Sequence, residues 1–191
     1  SAQTALWHLA EALCRWIAPV LSFTAEEIWE NLPGERADSV FLTEWYQGLP
    51  SVATETEMDD AFWTQMLQVR QAVNKCLERQ RAAGVVKGAL DTAVTLYADA
   101  PLAQQLMALK DELRFVLITS GAAVEPLANA PSDAETCDIE GLKVRVSIAS
   151  ADKCERCWHR RDDVGQHAQH PTLCGRCVAN VTGPGEQRCY A

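Results

Sequence analysis

The stretch Cys154-Glu-Arg-Cys157, followed sixteen residues later by Cys174-Gly-Arg-Cys177, governs how the rest of the chain is read. Two residues between paired cysteines let one tight turn aim both sulfurs at a single ion, and two such turns complete a tetrahedron. Thiolates are soft donors, which suits zinc and disfavours magnesium or calcium. Four protein ligands leave no open position, so the spacing predicts one structural zinc ion rather than a catalytic one. A pair of disulfides or a redox motif is the alternative, but a redox motif accounts for one pair and not for two. His159, His167 and His170 lie in or beside the loop between the pairs and could replace a cysteine, although four cysteines already fill the shell.

Working outward, the chain has 191 residues, 48% hydrophobic and 23% charged, enough for one large or two to three small globular domains. It has no run of about 18 apolar residues, so no membrane span is expected. The first residues lack a basic region and an apolar core, so no signal peptide is read there. Paired thiols with single cysteines at 14, 76, 137 and 189 fit a reducing cytoplasm, with the single ones expected as packing residues. The net charge is −9, which argues against nonspecific coating of nucleic acid. It is uneven. Residues 1–151 hold 11 Lys and Arg against 21 Asp and Glu, and residues 152–191 hold 6 against 5.

Residues 2–31 read as two helices. Leu6, Leu9, Leu13, Trp16 and Ile17 make an apolar stripe, and Thr24-Ala-Glu-Glu27 reads as a capping box that opens the second helix, which Pro33-Gly34 ends. Two helices of this length cannot bury such a stripe, so the chain is expected to be the tail of something longer. Phe41, Trp45 and Tyr46 in the connector 38–54 are expected to staple it to a neighbour. Residues 56–83 read as one helix whose face is Phe62, Met66, Val69, Val73 and Cys76. Its start is acidic and its end basic, with Gly84 as the cap.

Residues 92–98 predict a strand, Pro101 to Phe115 a helix, and 122–127 a weaker strand. Residues 137–139 and 142–149 predict a hairpin about Glu140-Gly141. The fold class is therefore α+β: a helical N-terminal segment, a small mostly antiparallel sheet with helices on one face, and a C-terminal zinc-ribbon-like finger. The expected domains are 1–54, 55–150 and 151–191.

No phosphate-binding glycine loop, dinucleotide fingerprint or nucleophile elbow is present. No catalytic residue is assigned. Lys153, Arg156, Trp158, His159, Arg160 and Arg161 crowd the first knuckle, and Arg176 lies in the second. Cations and an aromatic on a rigid turn can grip phosphates and stack a base. For the arginines, solvation is the competing reading. For Trp158, packing of the knuckle against its domain is favoured. Residues 70–87 hold five bases and one acid, which makes Arg79, Arg81 and Lys87 further nucleic-acid candidates.

The run Lys153-Cys-Glu-Arg-Cys-Trp-His159, with Leu173-Cys-Gly-Arg-Cys-Val-Ala-Asn-Val181 and Gly183-Pro-Gly-Glu186, resembles the C-terminal zinc finger of bacterial isoleucyl-tRNA synthetases. Residues 16–29 are similar to the end of the helical anticodon-binding domain of the class I synthetases for isoleucine, valine and leucine. Val40-Phe-Leu-Thr-Glu-Trp45 is similar to the exit from that domain, and Lys87–Asp91 and Asp111–Phe115 resemble the module after it. One departure is Gly88-Ala-Leu-Asp91, where the family often has Gly-Ser-Leu-Glu.

The resemblance implies a part of a ligase that attaches isoleucine to its tRNA using ATP. The adenylate chemistry would lie in a catalytic domain with histidine-rich and lysine-rich signatures absent from this chain. This part would hold the anticodon arm in position, as a monomer in the cytoplasm, with the rest of the synthetase as its other partner. The alternative is a DNA-binding module with the related finger of formamidopyrimidine-DNA glycosylases. Their catalytic residues lie at the extreme N-terminus, and Ser1-Ala2-Gln3 does not match them.

Overall fold

A computed structural model describes residues 2–49 and 57–190. Glu55, the connector's last residues 50–54 and the expected helix start at 56 lie outside the described residues. The chain divides into two compact units, Ser1–Thr54 and Glu55–Ala191.

The first unit is a helical hairpin, α1 (Ala2–Ile17) and α2 (Ser22–Asn31). Its small core is Ala12, Cys14, Ala18, Ala25, Trp29 and Val40. Small residues let the two helices approach closely. The stripe Leu6, Leu9, Leu13 and Trp16 is exposed, on the other side of α1.

The expected capping box is not used. The helix starts two residues before Thr24 with no side-chain cap, and Ser22 Oγ donates to Ala18 O at 3.1 Å. Glu26 instead accepts the Val40 N–H at 3.1 Å and so fixes the connector. Two of the three connector aromatics lie against α1, and Phe41 is exposed. Tyr46 OH is 2.6 Å from His8 Nδ1, and the Trp45 and Trp16 rings are 6.3 Å apart. Trp29 lies between the Arg15 and Arg36 guanidiniums, each 4.6 Å from its ring, and buried Glu11 pairs with both arginines.

The second unit is built on α3 (Asp60–Ala82). Asp59 Oδ1 accepts the Phe62 N–H at 2.9 Å, and left-handed Gly84 follows the C-cap at Ala83. Phe62, Met66, Val69, Val73 and Cys76 are all buried, as their spacing predicts.

The other elements are β1 (Thr92–Ala98), α4 (Ala100–Ala108), α5 (Leu113–Leu117), β2 (Gly121–Pro126), β3 (Glu135–Thr136) and β4 (Leu142–Ile148). The sheet order is β2-β1-β4-β3. The β1–β2 pair is parallel and the other two pairs are antiparallel. The fold is α+β.

Two local expectations shift. The helix expected from Pro101 to Phe115 breaks, because Lys110 takes a left-handed φ of 52° that the helical ladder cannot carry. Leu106, Leu109, Leu113 and Leu117 still reach one core with Val94, Leu96 and Val144. The strand expected at 137–139 is instead the turn after β3, where Cys137 Sγ lies 3.4 Å from Leu142 O.

Candidate metal centre and nucleic-acid interface

The finger folds around its two cysteine pairs. In the first knuckle the Cys154 N–H donates to His159 O and the Trp158 N–H to Cys154 O, both at 2.9 Å. This closes the turn and sets Cys154 and Cys157 on one side. In the second, Cys174 is the N-cap of α6 (Gly175–Thr182), so Cys177 falls one helical turn on and points the same way. The Gly175 N–H donates to Asp163 at 2.8 Å. A Cβ at Gly175 would lie 2.9 Å from that carboxylate oxygen, so glycine lets the loop close over the helix start.

All four sulfurs lie within 4.8 Å of one another, with Cys157 and Cys174 at 3.7 Å. A tetrahedral ion with zinc–sulfur bonds of about 2.3 Å requires sulfurs about 3.8 Å apart, so the set fits zinc. All eight cysteines are free thiols, which removes the disulfide reading. Among the described residues the cluster contains no histidine.

The sulfurs are in unlike surroundings. Burial raises the Cys154 thiol, but backbone N–H groups of Cys157, Cys174 and Arg156 outweigh it and bring the pKa down to about 6. Burial pushes Cys174 up to about 12. A bound cation would deprotonate all four.

The structure sorts the other candidates. His159 is 8% exposed, edge-on to Phe115, with Nδ1 3.3 Å from Arg114. Burial first, and then Arg114, Arg176, Arg161 and Arg188, lower its pKa to about 4, so it is neutral and enclosed. Arg160 is engaged in docking the finger. Its N–H donates to Ser120 Oγ at 2.7 Å, its Nε to Asp91 at 2.9 Å and its Nη1 to Ala151 O at 3.2 Å. Arg176 pairs with Glu186 at 3.1 Å, and Arg161 lies 3.8 Å from Asp111. Arg79 pairs with Glu135 and Arg81 with Glu78, each at 2.7 Å. Lys87 is exposed.

Trp158 departs from its expected role as a packing residue. It is 60% exposed, has a left-handed φ of 65°, and carries Lys153 Nζ 5.2 Å above its ring. The turn's hydrogen bonds fix that backbone, and the side chain has no core to enter. Cys189 is likewise exposed and not a packing residue.

Sequence reasoning gave no role to Arg114, Phe115, Arg188 and Glu112. They line a cleft of about 390 Å³ beside the metal centre. Phe115 carries the Arg188 and Arg114 guanidiniums at 3.9 and 4.0 Å, and Glu112 accepts the Cys189 and Tyr190 N–H groups at 2.7 Å. The acid–acid–leucine–base–aromatic run at 111–115 is the only sequence signal for it, and it does not say what it meets.

Two helices leading to a connector, and a four-sulfur finger docked on a small α+β unit, define the class. The family of the anticodon-binding domain of tRNA ligase matches residues 1–96, half of the chain, and the chain belongs to that family. The zinc finger found in formamidopyrimidine-DNA glycosylases and isoleucyl-tRNA synthetases matches residues 151–180. With the four-cysteine cluster, this supports one structural zinc ion.

The chain is 57% identical, over its full length, to an isoleucine–tRNA ligase of Alcanivorax borkumensis, and 56% identical to those of Serratia proteamaculans and Pseudomonas putida. It spans about a fifth of each of these relatives, 20% of their length. Among the described residues no helix is long and apolar enough to cross a membrane.

Proposed function

We propose that this chain is the C-terminal region of an isoleucine–tRNA ligase, working in the cytoplasm, and that it holds the anticodon arm of the isoleucine tRNA. Activation of isoleucine with ATP belongs to residues outside this sequence. Residues 1–54 form the end of the anticodon-binding helical domain with its connector, 55–150 the small α/β module and 151–191 the finger. Cys154, Cys157, Cys174 and Cys177 ligate zinc. The metal shapes a surface and takes no part in the chemistry.

The observation that carries RNA contact is Trp158. A non-glycine residue in the left-handed region costs about 1–2 kcal/mol. Here that conformation holds a large, exposed aromatic ring beside a lysine. An exposed ring suits stacking on an unpaired base, and Lys153 suits the adjoining phosphate. Lys87 is a further exposed cation on the same compact unit. The anticodon-domain match over 1–96 favours tRNA over DNA as the partner.

Titration of the chain against the isoleucine tRNA and an unrelated tRNA tests this. Tighter binding of the isoleucine tRNA, weakening as salt rises, is expected. Equal affinity for both would reject specific reading.

A further inference from the structure

The two knuckles share a detail beyond their cysteines. Each has the form Cys-x-Arg-Cys, with an arginine immediately before the second cysteine. The structure sets each arginine beside the other pair. Arg156, from the first knuckle, donates through Nη1 to Cys177 Sγ in the second at 3.6 Å. Arg176, from the second, lines the same cleft as Cys157 of the first. Arg156 thus crosses to the last cysteine of the opposite pair, and Arg176 lies beside the last cysteine of the first.

The charge balance gives this crossing a purpose. A divalent ion held by four thiolates carries a net charge of −2, and three of the four cysteines are buried. A charge in such surroundings is costly unless paired and hydrogen-bonded. The Cys174 N–H, 3.4 Å from Cys154 Sγ, supplies a dipole but no charge. Two guanidiniums supply positive charge, that of Arg176 shared with Glu186. Arg176 has the stronger setting: its side chain is 19% exposed, and Glu186 holds it in place at 3.1 Å.

We infer that Arg156 and Arg176 are positioning residues of the metal centre, which offset its charge, lock the two knuckles in register and raise its affinity for metal, and that neither is primarily an RNA ligand. The inference rests on the four-cysteine zinc reading. It separates these two residues from Trp158, which is exposed with Lys153 over its ring and remains the RNA surface.

The test measures zinc affinity of the full chain by competition with a chromogenic chelator, for the unaltered protein, R156M, R176M and the double variant. Each single variant should still take up one zinc with affinity lowered about 10-fold, and the double variant about 100-fold, as loss of outer-shell partners does. R156K and R176K should recover part of the loss, because lysine restores the charge without the planar fork. Cobalt-loaded R156M and R176M should keep a tetrahedral thiolate spectrum with a displaced sulfur-to-cobalt charge-transfer band.

R156M and R176M affinities within twofold of the unaltered protein would overturn the role. So would weakened tRNA binding by R156M with unchanged zinc affinity. Arg156 is exposed, so R156M decides the matter should R176M fail to fold. If the unaltered chain takes up no zinc, the four-cysteine reading falls together with this one. If it binds zinc and the variants do not differ, only the arginine role falls.

Discussion

Arg160 donates from Nε to Asp91 at 2.9 Å across 69 residues of sequence, and this pair joins the zinc finger to the start of the sheet. The adjoining contacts point the same way. The Arg160 N–H reaches Ser120 Oγ, which itself donates to Leu90 O at 2.5 Å. The finger and the α/β module therefore share one compact unit through a polar seam, although each has its own apolar cluster.

Replacing Asp91 by Asn should loosen this seam without emptying the metal centre. Both side chains are about a third exposed, so the ion pair contributes only about 0.5–1 kcal/mol. Hydrogen exchange at 151–160 should quicken while zinc content stays at one. Unchanged exchange would show that the backbone contacts suffice.

Removing zinc should unfold the finger and leave the sheet intact. The finger's apolar cluster consists of three buried cysteines with Cys157, Val164 and Leu173, too little to fold unaided. The other core, from Met66 and Val73 to Leu117 and Val144, is independent of it. Chelation should collapse NMR dispersion for about 151–182 only. Loss of the β1 and β4 signals as well would show that the sheet depends on the metal.

Trp158→Ala should weaken tRNA binding by about 1–3 kcal/mol, the range for one stacked base, with zinc content unchanged. Trp158→Gly should weaken binding equally but leave the knuckle less strained, because glycine adopts a φ of 65° freely. Fluorescence anisotropy with labelled anticodon stem-loop reads the affinity, and thermal unfolding reads the strain. Unaltered affinity in both variants would return Trp158 to a solvated surface residue.

Glu135 gives a pH-dependent prediction. Burial acts to raise its pKa, but the Gln80 amide and the Arg79 guanidinium outweigh it, so the folded value is lowered. A lowered folded pKa means that the stabilisation is present above the ordinary carboxylate value and is lost as pH falls through the folded one. The pair is partly exposed, so E135Q should cost about 0.5–1 kcal/mol at pH 7 in urea denaturation. The difference should vanish once pH falls below the lowered folded value. A difference that persists there would mean that shape, not charge, holds the contact.

The apolar periodicity of α3 and the two cysteine pairs were legible because each is a local code. A helix repeats every 3.6 residues, and a zinc knuckle needs two residues between its ligands. From these, the α+β class and the metal centre follow without any long-range information. Three things do not follow: the parallel β1–β2 pairing, the break at Lys110, and the turn that replaces a strand at 137–139. Each depends on which distant partner satisfies the backbone, and spacing carries no record of that.

The candidate RNA residues divide on the same ground. In sequence, Arg156, Trp158, His159, Arg160 and Arg176 are equivalent cations and rings around one motif. Their neighbours decide what each does. His159 is enclosed against Phe115, Arg160 meets Asp91, Arg156 crosses to the Cys177 sulfur, Arg176 meets Glu186 beside Cys157, and Trp158 stays outside. The sequence by itself determined that four sulfurs converge on one ion. Only the tertiary structure decided which charges serve that ion and which face solvent, because a guanidinium's role is set by the acceptor within about 3 Å of it and not by its place in the chain.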